Sequence, residues 1–293
     1  IGYITLDNSK EIEETTTTNT LTNNINYSFF GYKIKLSMDG SILIITSYGY
    51  YHNEYPERSN SKSFVKIYKY LDNNNWKNIQ TISQDYEWQN IGQSIDLSDD
   101  SNFLLIGEYG FNKNDEYGYG RVRLFKKNQD TSIYELFGDP IEGENPYDRF
   151  GYSVSISNIN NNKIRIAASA PYNDGVPNPT ITTNSKMGFN YGHVRIYEIN
   201  ITDSSPWVKV GKTIIGENGH PSADNFGMSI DLSNDGNTLI VGSNMYLNQI
   251  GKHEIYIFEN NEWIKSDNSS SGSQEYDNYG FTVKLSGDGN TYA

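Results

Sequence analysis

Tyrosine, asparagine and aspartate crowd four segments of this chain, Ser47 to Ser63, Glu108 to Gly120, Ser169 to Gly192 and Ser243 to His253. Their candidate binding residues are Tyr48, Tyr50, Tyr51, His52 and Tyr55, then Tyr109, Phe111 and Tyr117, then Tyr172, Asn173, Asp174 and Tyr191. A tyrosine ring gives a large contact area at small entropic cost and carries a polar tip, so this mixture suits ligand recognition. Covalent chemistry has less to work with. Cysteine is absent, which removes thiol nucleophiles. His52, His193, His220 and His253 show no metal-ligand spacing and read as surface residues, His193 sharing a repeat column with Phe64, Arg121 and Glu254. Glu144, Asp148, Glu217 and Asp224 recur in equivalent connections, but a glycosidase needs two carboxyls at a defined separation. Asp148 and Asp224 are read as turn or cap residues, and no catalytic residue is assigned.

The elements that must position these segments repeat along the chain. Phe30-Gly31, Ile91-Gly92, Phe150-Gly151, Phe226-Gly227 and Tyr279-Gly280 each open a short strand that leads through a tight turn into a second apolar strand. A period of about 60 residues with irregular insertions signals a propeller or array. Each repeat reads as four strands, A to D, with Asn234-Asp235-Gly236-Asn237 typical of the A–B hairpin. Strand D opens on Trp76, Tyr134, Trp207 or Trp263, a column expected to pack between blades. Val65 and Ile67 alternate with Lys66 and Lys69, and Val122 and Leu124 with Arg121 and Arg123, predicting one buried and one solvated face. The fold class is therefore all-β, a propeller of four-stranded antiparallel blades. The segments are 1–28 (end of a preceding blade, including Ile1 to Ile4 as a D strand, and a polar linker), blades 29–88, 89–148, 149–224 and 225–277, and the start of another at 278–293. Seven blades are expected for a full chain.

Repetition also reconciles the composition. A chain of 293 residues with 35% hydrophobic content and mean hydropathy of -0.67 would underfeed one large core, whereas each module needs only to cover its neighbours. The 24 tyrosines and 12 phenylalanines suit pleated, half-buried surfaces. A formal charge of -13 argues against nucleic acid or an anionic membrane as partner. No stretch is apolar for about 20 residues, so no membrane-inserted segment is expected here.

These residues resemble the FG-GAP repeats of integrin α-subunit-type propellers, in a degenerate tandem form. The third repeat matches best, with Phe150-Gly151, then Ser169-Ala170-Pro171 in the Gly-Ala-Pro position, then Tyr172-Asn173-Asp174-Gly175. Elsewhere the tripeptide has decayed to Thr46-Ser47-Tyr48, Gly107-Glu108-Tyr109 and Gly242-Ser243-Asn244. The resemblance implies a calcium loop in the A–B hairpin, for which Asp231, Ser233 and Asp235, or Asp96, Ser98 and Asp100, are the candidate ligands. Leu239 and Leu104 stand where the last carboxylate belongs, and Lys35 and Lys284 replace the first ligand in repeats one and five. We therefore expect no cofactor, calcium being the alternative, and read Asp39, Asp235 and Asp288 as Asx-turn residues. The resemblance further implies a non-catalytic extracellular or surface propeller, cellular or viral, that binds protein or glycan through its B–C and D–A loops. The alternatives are a structural module contacting neighbouring subunits of an assembly, and a polysaccharide-acting propeller enzyme.

Overall fold

The computed structural model describes residues 5–7, 20–22, 28–49, 63–71, 75–86, 88–160, 162–174, 190–202, 206–216 and 224–293. Near the start, β1 (Thr5–Asp7) pairs in parallel with β2 (Thr20–Thr22); the expected D strand at Ile1 to Ile4 lies outside the described residues. Four antiparallel sheets follow. The first is β3 (Ser28–Leu36), β4 (Ile42–Gly49), β5 (Phe64–Leu71) and β6 (Asn75–Ser83). The second is β7 (Ile91–Leu97), β8 (Phe103–Glu108), β9 (Arg121–Lys127) and β10 (Tyr134–Leu136), with β11 (Ile141–Glu142) also on β9. The third is β12 (Val154–Asn160), β13 (Lys163–Ala170), β14 (His193–Asn200) and β15 (Val208–Lys209), with β16 (Ile214–Ile215) on β14. The fourth is β17 (Ser229–Leu232), β18 (Thr238–Ser243), β19 (Lys252–Glu259) and β20 (Glu262–Lys265), with β21 (Ser270–Ser271) on β19. These are successive blades of a β-propeller, and residues 279–293 begin a fifth through the Leu285–Tyr292 bridge.

Strand B is the core of each blade. β4, β8, β13 and β18 are buried almost end to end, as a strand sandwiched between two neighbouring sheets must be. Strands A of adjacent blades face one another around the axis. Ile95 aside, the apolar residues three and five past each glycine are buried in the later blades: Leu97, Val154, Ile156, Ile230, Leu232, Val283 and Leu285. Their counterparts in the first blade, Ile34 and Leu36, are half-exposed. Trp207 and Trp263 do pack between blades: their indole N–H groups donate to the carbonyls of Asp139 (2.9 Å) and Val210 (3.2 Å) in the preceding sheet.

Blades are joined by a main-chain staple. The N–H groups of Phe150, Phe226 and Tyr279 donate to the carbonyls of Tyr119, Tyr191 and Ile250 in the blade before, each at 3.1 Å. One residue earlier, Arg149, Asn225 and Asn278 donate to Gly118, Asn190 and Gln249 at 2.8–3.1 Å. The next residue of the seat is Gly120, Gly192 or Gly251, with φ of +75° to +77°. A Cβ at any of the three would overlap the carbonyl of the arriving residue, so glycine is required twice over, by conformation and by space.

Three expectations change here. The second face of strand C is not solvated in the second blade: Arg121 and Arg123 fold onto Glu108, whose side chain is fully buried. The histidines are not all on the surface either, since His193 and His253 are both buried, while His52 and His220 lie outside the described residues. The pairings Ser47–Phe64, Glu108–Arg121, Ala170–His193 and Ser243–Lys252 put Lys252, rather than Glu254, in the His193 column.

Substituting Gly120→Ala should destabilise the protein by roughly 2–4 kcal/mol, combining left-handed strain with a backbone overlap. Urea denaturation of the two proteins checks this, a loss under about 0.5 kcal/mol refuting the staple. A second outcome concerns pH. Burial, then the charges of Arg195 and Lys209, hold His193 down at about 3 against its usual 6.5. Between those values the unfolded chain binds the extra proton, so stability drops as pH falls from 6.5 towards 3. His193→Phe, the residue that the first blade carries at this register, should reduce the fall in the urea midpoint between about pH 7 and pH 4.

Candidate functional site at the axial tyrosine cluster

The residue after each repeat glycine and the residues at or just past the end of strand B emerge at the same end of the blade, because strands A and B pair antiparallel. In the first three blades these positions carry Tyr32 with Tyr48, Gln93 with Tyr109, and Tyr152 with Tyr172. They meet. Tyr32 and Tyr48 stack with ring centroids 5.2 Å apart, and the Tyr48 and Tyr109 hydroxyls hydrogen-bond at 2.9 Å. Tyr109 lies 5.7 Å from Tyr152, which makes an edge contact with Tyr172 at 5.9 Å. Gln93 Nε2 donates to the Tyr32 hydroxyl at 2.9 Å. Tyr117 and Tyr147 form a neighbouring pair at 6.0 Å.

Arg149 sits among these rings. Its guanidinium carbon is 4.2 Å from the Tyr172 centroid and 5.6 Å from that of Tyr109. Contacts of this kind hold a cation against the negative faces of the rings. Beside it, the Asp148 carboxylate accepts through Oδ2 from Asn173 Nδ2 at 2.8 Å and from the main-chain and side-chain nitrogens of Asn145, both at 3.2 Å. Gln89 and Asp277 accept turn N–H groups in the same way, from Asp85 and from Ser273 and Gln274, so this position is the cap read from sequence. No described residue donates to Asp148 Oδ1. Burial raises the Asp148 carboxyl above the usual range against the opposing hydrogen bonds, with the Asp174 charge adding to the rise. Burial likewise raises the phenols of Tyr109, Tyr117, Tyr152 and Tyr32, so these hydroxyls are neutral donors at physiological pH.

Of the residues singled out from sequence, Tyr48, Tyr109 and Tyr172 are thus brought together, with Tyr117, Asn173 and Asp174 around them. Asp174 is exposed and accepts from the Asn190 N–H at 3.4 Å. Phe111 is elsewhere, under the Arg121 guanidinium at 4.2 Å and beside Tyr86. Tyr191 lends its carbonyl to a staple. Tyr50, Tyr51, His52 and Tyr55 lie outside the described residues. Sequence reasoning missed Tyr32, Gln93, Arg149 and Tyr152, which fall in strand A or its approach. The legible signal is the column one past the glycine, aromatic or amide in three consecutive blades.

The hairpin residues are spread over two tasks. Asp96 and Asp231 face the axis: Asp96 accepts from Lys35 Nζ at 2.5 Å and from the Ile156 N–H at 2.9 Å, and Asp231 from Lys284 Nζ at 2.6 Å and the Leu285 N–H at 2.8 Å. Ser155 Oγ bridges the two carboxylates at 3.3 and 3.1 Å. Asp100 and Asp235 instead accept from Ser98 and Ser233 and from the N–H groups of Asn102 and Asn237, forming Asx turns as Asp39 and Asp288 also do. No group of three or more metal-ligating side chains comes together among the described residues.

No family model matches this chain, and no curated protein does. Solved structures do share its fold. The periplasmic gluconolactonase PpgL of Pseudomonas aeruginosa superposes with a TM-score of 0.50 at 13% identity, over 87% of this chain and 62% of that one. Sqt1 of Saccharomyces cerevisiae gives 0.47 at 10% identity over 82% and 50%, and the Pyrococcus horikoshii acylaminoacyl peptidase 0.44 at 11% identity over 84% and 33%. The chain thus spans less than two thirds of the length of each. The gluconolactonase corrects the expectation of a non-catalytic adhesion propeller that is no enzyme. That expectation leans on fold resemblance, and a propeller that superposes on most of this chain is an enzyme. It leans also on the lack of a visible acid–base pattern in the sequence, where the buried surroundings of Asp148 do not show.

The raised phenols give a direct check. In a titration followed at about 295 nm, Tyr109→Phe and Tyr152→Phe should each remove absorbance only from the phase above about pH 11, leaving the early phase near pH 10 intact. Loss from the early phase would mean that these hydroxyls are freely solvated.

Proposed function

We propose that this chain is a catalytic propeller acting on a saccharide, by hydrolysis or elimination, and that the tyrosine cluster is its substrate site. One observation carries the reading: five tyrosines and a guanidinium from three blades converge beside a buried carboxyl of raised pKa, the arrangement of stacking faces, neutral donors and an acid–base group that sugar chemistry uses. Tyr172 and Tyr32 supply ring faces. Tyr109 and Tyr152 donate to sugar oxygens. Asp148 is the proton donor and Asp174, exposed on the other side of Asn173, the second carboxylate. The likeness to a gluconolactonase supports a sugar-type substrate as an analogy of fold. No metal enters the proposal, since Asp100 and Asp235 spend their oxygens on their own turns.

Two finer readings belong with it. The Phe-Gly starts and the third-repeat tripeptide support descent of the blades from FG-GAP repeats. A secreted or surface location is supported by the acidic charge and by the periplasmic neighbour, and no described helix is long and apolar enough to cross a membrane.

The test is a panel of neutral and acidic oligosaccharides and aldonolactones, read by new reducing ends, absorbance at about 235 nm for unsaturated products, and proton release. Turnover is expected for at least one class. Asp148→Asn keeps the acceptor that caps the turn and should lower kcat by roughly 100-fold or more, with an unchanged melting midpoint. Absence of turnover across the panel, or an Asp148→Asn variant as active as the parent, refutes the catalytic reading.

A further inference from the structure

Of the five described arginines, Arg121, Arg123, Arg165 and Arg195 each pair with a carboxylate, through Asp85 and Glu108, Glu108, Glu198 and Glu144 respectively. Arg149 pairs with none among the described residues. Its backbone is bonded to Gly118 and Tyr152, and its guanidinium carbon lies over the Tyr172 and Tyr109 rings. A guanidinium held by rings and paired with no described carboxylate keeps its N–H fork unspent, and that fork matches a carboxylate in two parallel hydrogen bonds.

The backbone makes the choice of residue costly. The position two before the glycine is Asn90, Asn225 or Asn278 in the other blades that use a left-handed turn here, with φ of +52° to +54°, and asparagine tolerates that conformation. Arg149 adopts +57° without asparagine's advantage. Strain of this kind, held in place by the staple and located in a cluster of donors, points to use by a ligand. The surrounding hydroxyls are neutral donors that suit an anion as well. On a chain of formal charge -13, an anionic ligand needs such a local cation.

We propose that the site takes a saccharide bearing a carboxylate, a uronic acid residue, with Arg149 as its anchor. The assignment rests on the saccharide reading above for the sugar, and on Arg149 alone for the acid.

Calorimetric titration of the full chain with oligogalacturonate and oligoglucuronate, each against its methyl ester, tests it. At least one free acid should bind roughly tenfold or more tightly than its ester. Arg149→Asn, the residue natural to this turn, should abolish that preference without lowering the melting midpoint, and Arg149→Lys should keep part of it. Equal affinity for acid and ester, a preference that survives in Arg149→Asn, or binding of neither acid overturns the proposal. So does displacement of the sugar acid by equimolar sulfate or phosphate, which would mark a general anion site. Arg149-dependent binding without turnover upholds this inference and sinks the catalytic one; turnover of neutral sugars by the parent protein with no preference for either free acid over its ester does the reverse.

Discussion

The third, fourth and fifth blades each begin on the backbone of the one before. The arriving aromatic residue and the residue before it close two main-chain hydrogen bonds on the preceding blade, and the glycine of the seat has neither room nor conformational licence for a side chain. Once that docking is made, strand A of the new blade lies against strand A of the old. The buried strands B are then sandwiched, the tryptophans reach back to the preceding sheet, and Asp96, Ser155 and Asp231 join across the axis. Apolar burial supplies most of the stabilisation, on the order of 1.5–3 kcal/mol for each large core side chain. The staple decides which surfaces meet.

The tyrosine cluster follows from the same geometry. Because every blade presents its post-glycine residue and the end of its strand B at the same height on the axis, aromatic residues at these two positions in consecutive blades have to find each other. Only the first one or two residues past strand B are needed to bring Tyr48, Tyr109, Tyr152 and Tyr172 together. Arg149 is placed by the staple itself, one residue ahead of the docked phenylalanine. Its side chain is thereby aimed from a backbone that is held by two blades at once, a rigid mounting for a binding group.

Much of the architecture was legible in the sequence because short-range rules set it. Asp-Gly hairpins, Phe-Gly starts and apolar strands B depend on a few neighbouring residues, and Asp39, Asp235 and Asp288 cap their turns as such residues do anywhere. What depends on contacts across strands was not legible. His193 and Arg121 look like surface residues along their strands, yet His193 is buried beside Phe150 and Glu108 claims Arg121. Lys252 and Glu254 can exchange columns on paper, and only the pairing with Ser243 separates them. Arg149 hid in plain view, since a basic residue before Phe-Gly is unremarkable until its left-handed backbone and its missing carboxylate partner are seen together.

The staple also has a direction. A blade leans on what came earlier in the chain and lends its own seat to what comes next, so the side-chain bonds between strands A span only 53 to 77 residues. On a ribosome, which releases the amino-terminal part first, each new blade emerges to find its platform already folded. Synthesis and assembly can therefore run in step along the described blades.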